Sequence, residues 1–220
     1  FAFTAHASTA DIQFAGAHIR LSYAQEDLNA ALSPAFNHLK VEPSSSVPEL
    51  HIRAWHNADL YKALASEIGL TNQDQTERAV FRLNNENEFG VWLDDAFYYL
   101  NKTTGAAIYF GHDAAPNQPT WGSPFIPILH AWLFARSYSL IHSAAIALPE
   151  TGAALLVGPG GSGKSTTALS ALTDPDFLFV SEDYCVVDPT QTEVLNIYAS
   201  GKLDEQSTRW LPELDRARRE

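Results

Sequence analysis

Gly158-Pro159-Gly160-Gly161-Ser162-Gly163-Lys164-Ser165 is a complete G-x-x-x-x-G-K-[ST] pattern, and Thr166 follows it. These residue types suit the holding of a polyphosphate. Glycines let the backbone close into a concave turn whose N–H groups point inward, each able to donate to a phosphate oxygen. The ammonium of Lys164 reaches the outer phosphates, and the hydroxyl of Ser165 completes a Mg²⁺ shell. Further on, Phe177-Leu178-Phe179-Val180-Ser181 leads into Glu182 and Asp183. Carboxylates at the end of a strand beside a phosphate loop hold Mg²⁺ or accept a proton from an attacking hydroxyl. Successive side chains on a strand point to opposite sides, so two adjacent acids divide these roles. His142, in Ile141-His142-Ser143-Ala144, lies on the strand expected beside the loop. It reads equally as a structural histidine or as a group that orients or titrates with a carboxylate.

The elements around the loop have the order that the motif needs. Residues 153–157 form an apolar run of the kind that makes a buried strand, and residues 166–172 have helical spacing. Upstream, residues 140–148 alternate and the turn 149–152 follows, so 140–157 reads as a hairpin ending in the loop. A helix is expected over 124–138, with Phe125, Leu129, Trp132, Leu133 and Arg136 at helical spacing. After the acids, strands are expected at 184–187 and 194–198.

The first half reads as strands with turn-rich connections. Residues 17–23 and 49–55 alternate, and residues 25–39 carry a helical pattern broken near Pro34. Residues 57–75 read as partly helical. Residues 78–83, 89–93, 96–101 and 106–110 form an antiparallel meander, with no catalytic constellation among them. The Pro- and Asn-rich loop 111–122 is the expected domain boundary, dividing a strand-rich α+β domain (1–115) from a P-loop domain (120–220).

Composition narrows the partners. The net charge is −12 with 14 Lys and Arg, which argues against nucleic acid or an anionic membrane as the main partner. Neither a transmembrane-length apolar run nor a basic-then-apolar leader is present, so a cytoplasmic protein is expected. The lone Cys185 reads as a small core residue. The seven histidines other than His142 show no metal-ligand spacing. No residue pattern sets the oligomeric state, and a homo-oligomer is compatible with all of these features.

His142 before a short hairpin, the loop 158–166, and Ser181-Glu182-Asp183-Tyr184 together resemble the catalytic domain of HPr kinase/phosphorylase, and more closely the HPr-kinase-related serine kinases. Tyr198-Ala199-Ser200-Gly201-Lys202-Leu203 is also similar to that group, and the resemblance spans roughly residues 120 to 210. It implies an α/β P-loop kinase of the phosphoenolpyruvate-carboxykinase-like fold, in which strands precede the phosphate loop. The cofactors it implies are ATP and Mg²⁺, and the partner is a protein or peptide bearing an acceptor serine, such as a lasso peptide. Carried over by position, His142 and Glu182 are the proton-handling pair, while Asp183 joins Ser165 at the metal. Glu182 stands where the family has Asp, which lengthens that carboxylate by one methylene. The segment that serves the reverse, phosphorylase reaction has no counterpart before Glu220, so kinase activity alone is expected. A small-molecule kinase and a non-catalytic nucleotide-binding regulatory module are the alternatives.

Overall fold

The computed structural model describes residues 8–67, 79–93, 96–113 and 122–201. It is mixed α/β and divides into two compact units, Phe1–Arg136 and Ser137–Glu220. Lys202 and Leu203, which belong to the resemblance above, lie outside the described residues.

The first unit is built on one large mixed sheet. Strands β1 (Ser8–Phe14) and β2 (Ala17–Tyr23) form a hairpin in which Phe14 pairs with Ala17. The two turn residues, Ala15 (φ 51°) and Gly16 (φ 74°), are both left-handed, the geometry whose twist matches that of the strands. Helix α1 (Glu26–Leu32) follows and carries Glu26 and Asp27 in its first turn, where acids suit the helix dipole. Pro34 ends the α geometry, and the chain continues as a 3-10 helix (Ser33–Leu39). Strand β3 (Lys40–Val41) then pairs with β1, and β4 (Leu50–His56) lies parallel to β2. After α2 (Ala58–Glu67) come β5 (Ala79–Asn84), β6 (Glu88–Leu93), β7 (Ala96–Asn101) and β8 (Ala106–Gly111), an antiparallel meander as the turn compositions predict. Its last strand pairs in parallel with β4, giving the order β3-β1-β2-β4-β8-β7-β6-β5.

Strand alternation sends one set of side chains to each face. One face carries Ile12, Ile19, Leu21, Tyr23, Leu50, Ile52, Leu100 and Tyr109, all buried, and α1 and the 3-10 helix, with buried Leu28, Leu32 and Phe36, pack on its β1, β2 and β4. Phe125 packs among Tyr23, Phe36 and Tyr109, with ring centroids 6.4, 6.2 and 5.4 Å away. It opens α3 (Ile126–Ala135), which buries Ile128, Leu129, Trp132 and Leu133 and packs on β6 and β7. The division between units therefore falls after Arg136 and not in the 111–122 loop: the apolar stripe of α3 belongs to the first sheet. Arg136 closes the helix, stacked 4.8 Å over Trp132 and paired with Glu49 at 3.2 Å. On the other face, Tyr61 of α2 covers Trp92 and Phe110, with Trp55 and Phe97 around them.

Among its described residues the second unit holds two three-stranded antiparallel sheets. Strand β9 (Ser139–Ile141) pairs with β13 (Cys185–Asp188), which pairs with β14 (Glu193–Asn196). Strand β10 (Ala144–Leu148) lies between β11 (Gly152–Leu156) and β12 (Leu178–Ser181). Helix α4 (Lys164–Ser170) buries Ala168 and Leu169, packing on β10 and β12, and a 3-10 turn (Ala171–Thr173) continues it. The expected hairpin is β10 and β11. The apolar run leading to the loop is not a buried strand, however: β11 is the edge of its sheet, with Leu155 36% and Val157 69% exposed. Among the described residues no helix is long and apolar enough to cross a membrane.

Candidate active site

The residues 140–148 that alternate as one strand are in fact two strands in different sheets. The break falls at His142-Ser143, between β9 and β10. A second break falls at Glu182-Asp183-Tyr184, between β12 and β13. The two breaks lie side by side, because Ala145 pairs with Ser181 on one flank and Ile141 with Cys185 on the other. Strand pairing thus delivers residues forty positions apart to one place.

The side chains there interlock. His142 Nε2 lies 2.9 Å from Asp183 Oδ1, and the imidazole stacks on Tyr184 at 4.8 Å with an interplanar angle of 17°. Asp183 is mostly covered (17% of its side chain exposed), while His142 keeps 62% of its side chain in solvent. With Nε2 donating to the carboxylate, Nδ1 is left as the acceptor. Burial and the Asp183 charge push the Tyr184 phenol up, so it stays neutral at physiological pH. Ser181 donates to the Tyr184 carbonyl, which fixes the bend after β12. Ser143 Oγ and Cys185 Sγ are 3.1 Å apart and buried, and burial raises the thiol, so Cys185 is an inert core residue. Glu182 is 5% exposed.

The phosphate loop begins at the same edge. Leu156, the last residue of β11, pairs with Ala144, the first of β10, so the chain enters the loop beside the His142-Ser143 break. Gly161 (φ 77°) and Gly163 (φ 87°) adopt left-handed conformations that a side chain would strain. The residues Gly158, Pro159, Gly160, Gly161, Ser162 and Gly163 are exposed, whereas Lys164, Ser165 and Thr166 are half-buried in the first turn of α4. The Lys164 ammonium folds back on the loop, donating to the carbonyls of Gly158 (2.8 Å) and Pro159 (3.1 Å). An ammonium held by two neutral carbonyls at an exposed turn is ready to exchange them for anionic oxygens.

The structure thus brings His142, Asp183 and the loop to one edge, and pairs His142 with Asp183 and not with Glu182. Among the described residues, no three His, Cys, Asp or Glu side chains gather as a metal site, so a cation here would need the oxygens of a bound phosphate as well. Spacing gives no sign of Tyr184, since stacking across a break leaves no periodic signal. No protein-family model matches this chain, and no curated protein is similar to it at a significant level.

Proposed function

We propose that the chain is an ATP-dependent kinase that transfers the γ-phosphoryl group to a serine hydroxyl of a protein or peptide. The observation that carries this reading is the meeting of the phosphate-loop entrance with the His142–Asp183 pair at one sheet edge. The loop fits a polyphosphate by its exposed backbone, its left-handed glycines and its lysine held only by neutral carbonyls. When bound, Mg·ATP supplies the phosphoryl group and a centre that neutralises its charge.

The chain's own groups then divide the work. The loop amides and Lys164 bind and orient the phosphates and stabilise negative charge as it develops. His142 Nδ1 accepts the proton of the attacking serine as the Oγ–P bond forms and the bond to the leaving diphosphate breaks. Asp183 holds the ring by its Nε2–H and stabilises the imidazolium that results. This pairing favours His142 with Asp183 as the proton-handling groups and leaves Glu182, with Ser165, as the residues that would hold Mg²⁺. The two acids exchange the roles expected from the resemblance.

The test is transfer from γ-labelled ATP with Mg²⁺ to the proteins and peptides encoded beside this chain, with Glu182→Gln as control. Label on a serine, lost in the variant, supports the kinase. Label on a small hydroxyl compound alone makes it a small-molecule kinase, and tight ATP binding with no transfer to any acceptor makes it a nucleotide-binding regulatory module. Release of phosphate from the phosphorylated product by inorganic phosphate would overturn the expectation of kinase activity alone.

A further inference from the structure

A strand at the edge of a sheet presents a row of unpaired backbone N–H and C=O groups, and folded chains blunt such edges with short length or with charge. Three edges here are blunted in that way. Strand β3 is two residues long and holds Lys40, β9 is three residues long, and β14 begins on Glu193. Strand β11 is not blunted. It runs for five residues, Gly152-Ala153-Ala154-Leu155-Leu156, without a charge or a proline, and among the described residues its single strand neighbour is β10. At the opposite edge of the same sheet β12 packs also against α4, the 3-10 turn and β14. Gly152, Ala153, Ala154 and Leu155 are exposed, as is Val157 just beyond them.

We propose that β11 pairs antiparallel, edge to edge, with β11 of a second copy of this chain, joining the two three-stranded sheets into one of six strands. Two features of the strand select a copy of itself. The first is size. With Ala154 opposite its own counterpart, Ala153 faces Leu155 of the partner subunit and Gly152 faces Leu156 of the partner subunit. Each large side chain thus meets a small residue, and the two-fold axis makes every such pair twice. The second is charge. A chain carrying −12 repels its copy, so close approach is open only where charge is missing, and residues 151–163 hold none. Antiparallel pairing sets the two phosphate loops at opposite ends of the joined strands, because each loop follows the C-terminal end of its own β11. Both loops stay open, and the inference does not depend on the kinase reading. A strand pair of this length covers less than the roughly 1,200 Å² at which stable interfaces begin, so a reversible dimer of micromolar strength is expected.

The experiment is sedimentation equilibrium of the full chain from about 1 to about 200 μM, with amide hydrogen exchange of residues 152–156 followed over the same range. We expect the mean mass to rise from one chain toward two, and exchange in β11 to slow in step with it. Ala154→Lys and Ala154→Glu each set like charges face to face across the axis and should each weaken the dimer ~fivefold or more. Mixed in equal amounts, the two variants should dimerise again, because the proposed register brings their opposite charges together. A single-chain mass at every concentration leaves the edge to a different polypeptide and overturns the proposal. A dimer that forms without slower exchange in β11, a dimer that survives both substitutions, or a mixture no stronger than either variant alone would overturn it too. Mass and exchange are both read on the unsubstituted chain, so they decide the matter even if a variant does not fold.

Discussion

Asp183 lies within hydrogen-bond distance of His142 and is mostly covered by its surroundings, so removal of its charge acts first on the histidine. Asp183→Asn is expected to lower phosphoryl transfer by roughly 10²–10⁴-fold, the range of general-base contributions, with ATP affinity unchanged. A fall in Mg·ATP affinity with transfer otherwise intact would return Asp183 to the metal. Tyr184→Leu removes the stacked ring beneath the imidazole but not its carboxylate, and a smaller loss of turnover with unchanged nucleotide affinity is expected, read from steady-state kinetics. In the first unit, Asp11 is the residue whose charge matters to stability. It is 3% exposed and bonded twice by Arg20, so Asp11→Asn should cost about 3 kcal/mol in a denaturant titration at neutral pH. Its folded carboxyl is depressed below the unfolded one, so this stabilisation is present above the unfolded pKa and is lost as pH falls through the folded value. The gap between wild type and variant should therefore persist at pH 5 and close only in strong acid.

At the scale of elements, two turns offer opposite tests. Gly105 has φ 69° and approaches β4 so closely that a Cβ would stand 1.9 Å from the Glu49 carbonyl oxygen. Gly105→Ala must displace the strand entry and is expected to destabilise by more than ~2 kcal/mol in thermal unfolding. Ala15 is left-handed without being glycine, so Ala15→Gly should stabilise by about 1 kcal/mol in the same measurement. The difference between what was and was not legible in the sequence also lies here. The loop 158–165 and the acids were readable because their chemistry is set by spacing along a few consecutive residues. The meander β5–β8 was readable because its turns are local. The break at His142-Ser143 was not, since alternation runs from Leu140 to Leu148 without a turn residue to interrupt it. The parallel pairings of β4 with β2 and β8 depend on strands distant in the chain, and periodicity carries no register between them. The stripe of α3 was legible as apolar, but a stripe does not name the sheet that buries it.

At the scale of the molecule, the allegiance of α3 sets where the chain can be cut. A fragment of residues 1–136 keeps Phe125, Ile128, Leu129 and Trp132 over the first sheet and is expected to unfold cooperatively on heating, followed by circular dichroism. A fragment of residues 1–121 leaves that apolar face bare and should aggregate or lose its transition; equal stability of the two fragments would contradict the division after Arg136. The second unit contains all of the residues assigned to chemistry, in a frame where two strand breaks and the phosphate loop share an edge. We propose that these form one phosphotransfer site. The measurement that tests it most directly is the single-turnover rate of phosphoryl transfer for His142→Ala, with the ATP dissociation constant taken on the same sample. A rate lowered by roughly 10²–10⁴-fold is expected, with a dissociation constant within about twofold of wild type. An unchanged rate, or a loss of ATP binding that alone accounts for the defect, would contradict it.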